Sequence, residues 1–237
     1  KAEDGIRDVE RSRGLGDVYK RQNDVSEIYS RPRITAYASS LGLSPGFALD
    51  LATVDSDDGM PWDFDVPAKR EKARMRIQRE KPMLLVGSPM CTAFSQLLNL
   101  SKDKCNLEQR KRLLANGIKH LKFCISLYWE QIHNGRYFLH EHPDSATSWR
   151  LPEMKHLMEY PGVIRTKGHM CAHGWLTNSP YISEQVSKLC SNRWKAAKHR
   201  HVHLISGRAK AAEVYPPKLC TAILKGLRHC LLYTSDA

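Results

Sequence analysis

The apolar run MLLVG at residues 83–87, followed by SPMCTAFS at residues 88–95, decides the fold class. A continuous apolar run that ends at a glycine is typical of a central strand in a parallel sheet, because helices cover both faces of such a strand. In an open α/β sheet, ligands bind beyond the carboxyl ends of the strands. The sequence therefore predicts that Cys91 lies where a substrate would bind.

Segments on both sides of this run alternate between strand-like and helix-like patterns. Alternation of this kind predicts an α/β fold with a mostly parallel sheet and helices on both faces. Beyond Cys171 the pattern loosens into a basic region, residues 168–210, that is rich in cysteine and histidine. The other predicted strands are residues 25–29, 46–51, 137–140 and a strand from 163, and the predicted helices are residues 32–41, 68–81, 107–132, 152–160 and 217–227.

The composition favours a polyanionic partner and argues against a membrane protein. The chain has 237 residues, of which 37 are lysine or arginine and 25 are aspartate or glutamate, so its formal net charge is +12. Such a charge attracts nucleic acid, although it also serves solubility alone. No stretch of about 18 positions is continuously apolar, as a membrane-spanning helix requires. The seven scattered cysteines favour a reducing, intracellular compartment over a disulfide framework.

Both ends of the chain have the pattern of a translated sequencing adaptor. The peptides DVYKRQ at residues 17–22 and CLLYTS at residues 230–235 can be encoded by the two strands of one inverted repeat, which resembles a transposase mosaic end. We therefore predict that residues 1–22, expected to be disordered, and residues 230–237 are adaptor-derived. A genuine polar extension at the amino terminus is the alternative. Residues 23–229 are predicted to form one α/β domain.

Two ionisable side chains follow predicted strands and are candidates for catalysis. Cys91 becomes a nucleophile as a thiolate, which backbone N–H groups and basic neighbours at a strand end favour. A buried structural cysteine is the alternative. Glu141 ends the strand in GRYFLHEHP at residues 135–143, between two histidines and before a proline. It is predicted at the same edge of the sheet as Cys91, with an ordinary surface glutamate as the alternative.

These two segments resemble the motifs of the DNA cytosine-5 methyltransferases. That family carries a strand followed by Gly-x-Pro-Pro-Cys-x-x-Phe-Ser, and this chain has GSPMCTAFS at residues 87–95. After one long helix, the family has a strand that ends in Glu-Asn-Val or Glu-Asn-Pro, and this chain has FLHEHP at residues 138–143. The resemblance implies a Rossmann-like, S-adenosylmethionine-dependent methyltransferase fold over most of residues 23–229. The departures of this chain from the family motifs are similar to those of divergent family members in phages and mobile elements.

The resemblance also implies a mechanism and a partner. Cys91 would add to C6 of a cytosine flipped out of double-stranded DNA, while Glu141, protonated or sharing a proton, would hydrogen-bond N3 and the exocyclic amine. Pro89 would contact the cofactor. Ser95 and His142 would contact the nucleic acid, and His140 is a second histidine that could tune Glu141 or be structural.

The cofactor half of the family motif has a counterpart near the amino terminus. The family opens with Asp/Glu-Leu-Phe-x-Gly-x-Gly, and EIYSRPR at residues 27–33 occupies this position, with Arg31 and Arg33 in place of the two glycines and Pro32 between them. An acidic residue, Asp50, follows 21 residues after Tyr29, a spacing typical of a ribose-binding carboxylate. Trp62 and Phe64 flank Asp63, a further candidate ligand, and indicate an adenine pocket. The implied ligands of S-adenosylmethionine are Glu27, Tyr29, Ser30, Asp50, Asp63 and Pro89.

The basic region has three possible roles. In the resembled family this part of the chain recognises the target, and phosphate contacts or base stacking are then expected from Arg193, Trp194, Lys198 and Arg200. A zinc site is a second possibility, with Cys171, His173, Cys190 and His201 as ligands, although no Cys-x-x-Cys pair is present. An unspecialised surface is the third. The closing segment YPPKLC at residues 215–220 is similar to the last family motif or only begins a helix that closes the core.

Two other functions compete with methyl transfer. One is a non-catalytic nucleic-acid-binding segment of a mobile-element polyprotein, and the other is a small zinc-binding module. A geometric criterion separates them from the enzyme. If the chain is a methyltransferase, Cys91 and Glu141 face a common pocket and Asp50 lies along the same edge.

Overall fold

The computed structural model describes residues 23–95, 106–168, 173–187 and 214–233. In these ranges the chain forms a six-stranded sheet in the order β2-β1-β3-β4-β6-β5. Strands β1 to β4 pair in parallel, whereas β6 is antiparallel to both of its neighbours. The predicted α/β fold with a mostly parallel sheet is thus confirmed. The strands are β1 Val25–Ile28, β2 Pro45–Leu49, β3 Leu84–Gly87, β4 Tyr137–Pro143, β5 Ile164–Gly168 and β6 His173–Thr177.

Helices cover both faces of this sheet. Successive residues of β3 point to opposite faces, so Leu85 packs into one apolar core while Leu84 and Val86 pack into the other. The first core is closed by α2, α3 and α4, and the second by α1, α5 and α6. Among the described residues, no helix has both the length and the apolar character that membrane crossing requires. The helices are α1 Thr35–Ala38, α2 Pro67–Glu80, α3 Leu107–His133, α4 Pro152–Met158, α5 Pro180–Val186 and α6 Pro217–Tyr233.

Local sequence explains where the two long helices α2 and α3 begin and end. Asn106 begins α3 with a capping box, in which its side chain accepts from Gln109 N at 2.8 Å and the Gln109 side chain accepts in return. Proline occupies the first turn of α2, where its missing N–H costs no hydrogen bond. Lys81 ends α2 in the left-handed conformation, with φ of 46°, and the next residue is Pro82. The predicted limits of both helices therefore agree closely with the structure.

The region beyond Cys171 differs most from the prediction. Strand β6 and helix α5 were not predicted, and β6 lies between β4 and β5 in the sheet. Strand β4 is longer than predicted because its last residues pair with β6, Pro143 opposite His173. Helix α6 continues to Tyr233, and Cys230 is buried beside Ser179, with Sγ 3.0 Å from Oγ. Residues 1–22 lie outside the described ranges, and the adaptor origin of both ends stays a prediction.

A buried ion pair fixes the loop between β2 and α2. The Asp55 side chain is 2% exposed, and the Nζ atoms of Lys69 and Lys72 both lie 2.6 Å from its Oδ2. Burial alone would raise the pKa of Asp55, but the hydrogen bonds from the two lysines lower it to about 2. Because this loop leads from Asp50 to Asp63, the ion pair positions both of these candidate cofactor ligands.

Replacing Asp55 with asparagine should lower the free energy of unfolding by about 2 kcal/mol at neutral pH, because Lys69 and Lys72 lose their buried carboxylate. The native pKa lies below the ordinary value of 3.8, so this stabilisation is present above pH 3.8 and lost as the pH falls toward 2. Urea unfolding of the two proteins at neutral pH and again near pH 2 measures the difference in free energy of unfolding. Asp57→Asn, at an exposed partner of Lys72, is the control and should change the midpoint much less. Equal losses for Asp55→Asn at both pH values would contradict the prediction.

Candidate active site

A cavity of about 360 Å³ lies at the carboxyl edge of the parallel strands. Small-molecule sites have volumes of about 300–1,000 Å³, so this cavity is at the lower end of that range. Its walls come from the segments that follow β1, β2 and β3, from the end of β4 and from the start of β6. The lining residues are Tyr29, Arg33, Asp50, Leu51, Trp62, Asp63, Phe64, Asp65, Ser88, Pro89, Met90, Cys91, Thr92, His120, Glu141, Pro143, His173 and Tyr215.

Cys91 is held at the cavity wall by a short turn after β3. The turn is a 3-10 helix over Thr92–Phe94, and Phe94 N donates to the Cys91 carbonyl oxygen at 2.9 Å. Phe94 is buried against α3 at Gly117, where a Cβ atom would lie 2.7 Å from Ala93 Cβ. This close packing fixes the turn and leaves Cys91 half-buried at the cavity.

The glycine before this turn makes room for a buried tyrosine. A Cβ atom on Gly87 would lie 2.0 Å from Tyr128 Oη, so only glycine fits at the end of β3. Tyr128 Oη is 3.1 Å from His140 Nδ1, and both side chains are fully buried. Burial lowers the pKa of His140 well below its ordinary value, which keeps the ring neutral. His140 therefore supports the core behind the site and does not line the cavity.

Glu141 lies in β4 with both carboxylate oxygens hydrogen-bonded. Oε1 makes a short hydrogen bond with His173 Nδ1, and Oε2 accepts from Tyr215 Oη at 3.2 Å. Tyr215 Oη is also 2.9 Å from Ser88 Oγ. Burial raises the pKa of Glu141, but the hydrogen bond and the charge of His173 more than offset it, so the pKa lies below its ordinary value of 4.5. Glu141 is thus ionised at neutral pH beside a proton donor.

Aromatic and acidic side chains line the other part of the cavity. Trp62 and Phe64 are 2% and 3% exposed, and the Tyr29 ring lies 4.6 Å from the Phe64 ring. Asp50 Oδ1 accepts from Ala52 N at 2.9 Å, and Asp63 Oδ1 accepts from Asp65 N at 2.8 Å. The structure therefore brings six predicted site residues to one cavity: Cys91, Glu141, Tyr29, Asp50, Asp63 and Pro89.

Glu27 and Ser30 do not belong to this cavity. The Glu27 side chain is fully buried, and its Oε1 accepts from the backbone N of Arg33 and of Thr35 at 2.9 and 2.8 Å. Its Oε2 accepts from Ser30 Oγ at 2.7 Å. The structure does not bring these two predicted cofactor ligands to the cavity, because internal hydrogen bonds already engage them. They fix the turn between β1 and α1 instead.

His142 also differs from its predicted role at the nucleic acid. It is 1% exposed, with Nδ1 2.7 Å from Ser148 Oγ and Nε2 2.9 Å from the Pro89 carbonyl oxygen. Burial lowers its pKa, so the neutral ring donates to Pro89 and accepts from Ser148. His142 therefore ties the end of β4 to the cysteine turn. Ser95 follows that turn and is not among the cavity residues.

The predicted ligands of the basic region fall almost entirely outside the described residues. This holds for the nucleic-acid candidates Arg193, Trp194, Lys198 and Arg200 and for Cys171, Cys190 and His201 of the zinc alternative. His173 is described, and it begins β6 with its ring on Glu141. Within the described ranges, no cluster of three or more histidine, cysteine or acidic side chains has a metal-binding arrangement.

Several cavity residues are not predicted as site residues by the sequence, and three of them bear on the chemistry. The sequence indicates His173 only as a zinc ligand, Tyr215 only as part of a closing motif and Arg33 only as a departure from glycine. The signal for Tyr215 was its position directly before the prolines that begin the last helix. His173 carried no local signal, because an antiparallel strand brings it to this edge.

Comparison of the chain with protein-family models, curated proteins and solved structures gave no match. The chemistry of the cavity is therefore the basis on which a function can be assigned.

Proposed function

We propose that this chain transfers a methyl group from S-adenosylmethionine to C5 of cytosine in double-stranded DNA, with Cys91 as the nucleophile. One observation carries the proposal. Cys91 and Glu141, which come from the ends of two adjacent parallel strands, line the same cavity, and Asp50 lies along the same edge. The motif resemblance around both residues supports the same chemistry.

The proposed reaction begins with covalent activation of the pyrimidine. C5 of cytosine is a weak nucleophile, so the Cys91 thiolate forms a bond to C6 while N3 takes a proton, which makes C5 enamine-like. The target base must leave the duplex stack to reach the cavity. S-adenosylmethionine, when bound, supplies the electrophilic methyl group. Loss of the C5 proton, elimination of the Cys91 thiolate and return of the N3 proton to its donor then restore the aromatic ring.

The proton for N3 is assigned to the pair formed by Glu141 and His173. Because His173 holds the pKa of Glu141 below its ordinary value, the Glu141 carboxyl is itself deprotonated at neutral pH and is not the sole proton donor. His173 bonds to the same carboxylate and lines the cavity. The pair can therefore hold one shared proton, and Tyr215 holds the second carboxylate oxygen in position.

The acidic and aromatic part of the cavity fits the adenosine portion of the cofactor. Asp50 uses Oδ1 for a backbone N–H, and within the described part of the chain Oδ2 has no hydrogen bond, so it can accept from a ribose hydroxyl. Trp62 and Phe64 line this part of the cavity from below the surface, and the half-buried Tyr29 ring beside Phe64 offers aromatic surface to the adenine ring. Asp63 lies between Trp62 and Phe64 as a second acceptor.

One observation favours the non-catalytic alternative, a nucleic-acid-binding protein that has lost its cofactor turn. Arg31 and Arg33 replace the family's two glycines after β1, Pro32 between them has no N–H, and the buried Glu27 carboxylate takes the backbone N–H of Arg33. The backbone amides of this turn are therefore less available to a ligand. The net charge of +12 suits nucleic-acid binding with or without catalysis.

Trapping of the covalent intermediate separates the two functions. The full chain is incubated with labelled S-adenosylmethionine and a duplex that contains 5-fluorocytosine, and protein–DNA complexes are separated under denaturing conditions. We expect a labelled covalent complex, because fluorine at C5 blocks the elimination step. The same duplex with unmodified cytosine is the control and should release methylated product without a stable complex. Salt-sensitive binding with neither a complex nor a product would favour the non-catalytic alternative.

A further inference from the structure

Arg33 is a cation of the cavity that has no carboxylate partner among the residues that the structure describes. Two acidic groups of the wall already have partners within the protein, since Asp65 binds Lys119 and His120 and Glu141 binds His173. Within the described part of the chain, the Arg33 guanidinium makes no ion pair, and its carbon lies 5.0 Å from the centre of the Tyr215 ring. An arginine stacked on an aromatic ring keeps its N–H donors free at the edge of the guanidinium plane.

The backbone of Arg33 is fixed, although its side chain has no anionic partner in the described ranges. Its N–H donates to Glu27 Oε1 at 2.9 Å, and the same oxygen accepts from Thr35 N and Thr35 Oγ1. Ser30 Oγ donates to the other oxygen, so the Glu27 carboxylate accepts from four donors in total. The base of the Arg33 side chain is therefore held still at the cavity, and binding an anion there costs little ordering.

We propose that Arg33 binds the carboxylate of the methionine portion of S-adenosylmethionine, an inference that rests on the proposed function. In the resembled family, glycines after the first strand let the backbone approach the cofactor. Here the buried Glu27 takes the backbone N–H of Arg33, at one of the two glycine positions, so a side chain can supply the contact instead. A guanidinium donates two parallel hydrogen bonds to a carboxylate, which a lysine or a backbone amide cannot reproduce.

The experiment compares two nucleoside thioethers by titration calorimetry with the full chain. S-adenosylhomocysteine carries the amino-acid carboxylate, and 5′-methylthioadenosine has the same nucleoside without it. We expect the unsubstituted protein to bind S-adenosylhomocysteine about tenfold or more tightly than 5′-methylthioadenosine. Arg33→Gln should lose this preference, because its affinity for S-adenosylhomocysteine falls while its affinity for 5′-methylthioadenosine stays within about twofold.

Arg31→Gln is the matched control, since Arg31 is exposed in the same turn and does not line the cavity, and it should leave both affinities unchanged. Circular dichroism of each variant checks that the fold is intact. The inference is overturned if Arg33→Gln lowers the affinity for both thioethers equally, changes neither affinity, or lowers only the affinity for a DNA duplex. If the unsubstituted protein binds neither thioether, the methyltransferase proposal fails together with the inference, which distinguishes that result from failure of the inference alone.

Discussion

Replacing Cys91 with serine is expected to abolish the covalent complex with a 5-fluorocytosine duplex and to lower methyl transfer by about 10⁴-fold or more. A serine hydroxyl stays protonated near neutral pH and is a poor nucleophile, whereas a cysteine thiol yields a reactive thiolate. The exchange removes little volume, so the turn at Thr92–Phe94 should stay packed against Gly117 of α3. Denaturing gel electrophoresis measures the complex, and product assay with labelled cofactor measures the rate.

Cys124→Ser is the matched thiol control for this experiment. Cys124 is fully buried, and burial raises the pKa of its thiol to about 12, so it is neither ionised nor accessible at neutral pH. We expect this variant to form the complex in normal yield. Fluorescence anisotropy should show that Cys91→Ser still binds the duplex, because its basic surface is unchanged. Formation of the complex by Cys91→Ser would refute the assignment of the nucleophile.

The parts of the fold that sequence predicted well are those with local signals. The run MLLVG at residues 83–87 carries its apolar pattern and its glycine within one segment, and it forms β3. The helix predicted at residues 107–132 has its cap, its periodicity and its end in the chain itself. For the same reason Cys91 and Asp50 were located correctly, since each directly follows a strand that the pattern alone identified.

Strand β6 was missed because its stability comes from distant neighbours. Its sequence HGWLT at residues 173–177 has no simple alternation, and its hydrogen bonds are made to β4 and β5. Position 174 favours glycine, because a Cβ atom there would lie only 2.8 Å from the Trp149 ring. Contacts of this kind cannot be read from a local window, so the placement of His173 beside Glu141 was also unpredictable.

The placement of Glu27 and His142 differs from the prediction for another reason. Both residue types suit ligand binding, and both positions are close in sequence to the cavity. Their side chains lie inside the protein, and the sequence does not show which internal donors and acceptors they will contact. The Thr35 hydroxyl and backbone N–H donate to the Glu27 carboxylate, and the His142 ring is hydrogen-bonded to Ser148 Oγ and to the Pro89 carbonyl oxygen. Buried polar groups need such partners, and the fold supplied them inside the protein.

Replacing Glu141 with glutamine is expected to lower methyl transfer by about 10²- to 10⁴-fold while base binding persists. A glutamine side chain can still hydrogen-bond N3 and the exocyclic amine of cytosine, but it cannot deliver a proton. Burial of the neutral amide in place of the carboxylate also removes the charge that His173 faces. Product assay measures the rate, and duplex binding by anisotropy should change by less than about threefold, because phosphate contacts dominate that affinity.

His173→Gln tests whether the proton is shared by the pair. Burial raises the pKa of Glu141 and His173 lowers it, so loss of His173 should move this pKa upward from below its ordinary value of 4.5. Activity of the variant should then fall as the pH rises through the Glu141 pKa, since the carboxyl loses the only remaining proton. Carboxyl NMR titration locates that pKa, and the pH–rate profile should match it. His156→Gln, at an exposed histidine on α4, should keep the original profile. If His173→Gln also kept that profile, the proton for N3 would have to come from solvent or from the DNA, and Glu141 would be only a hydrogen-bond acceptor.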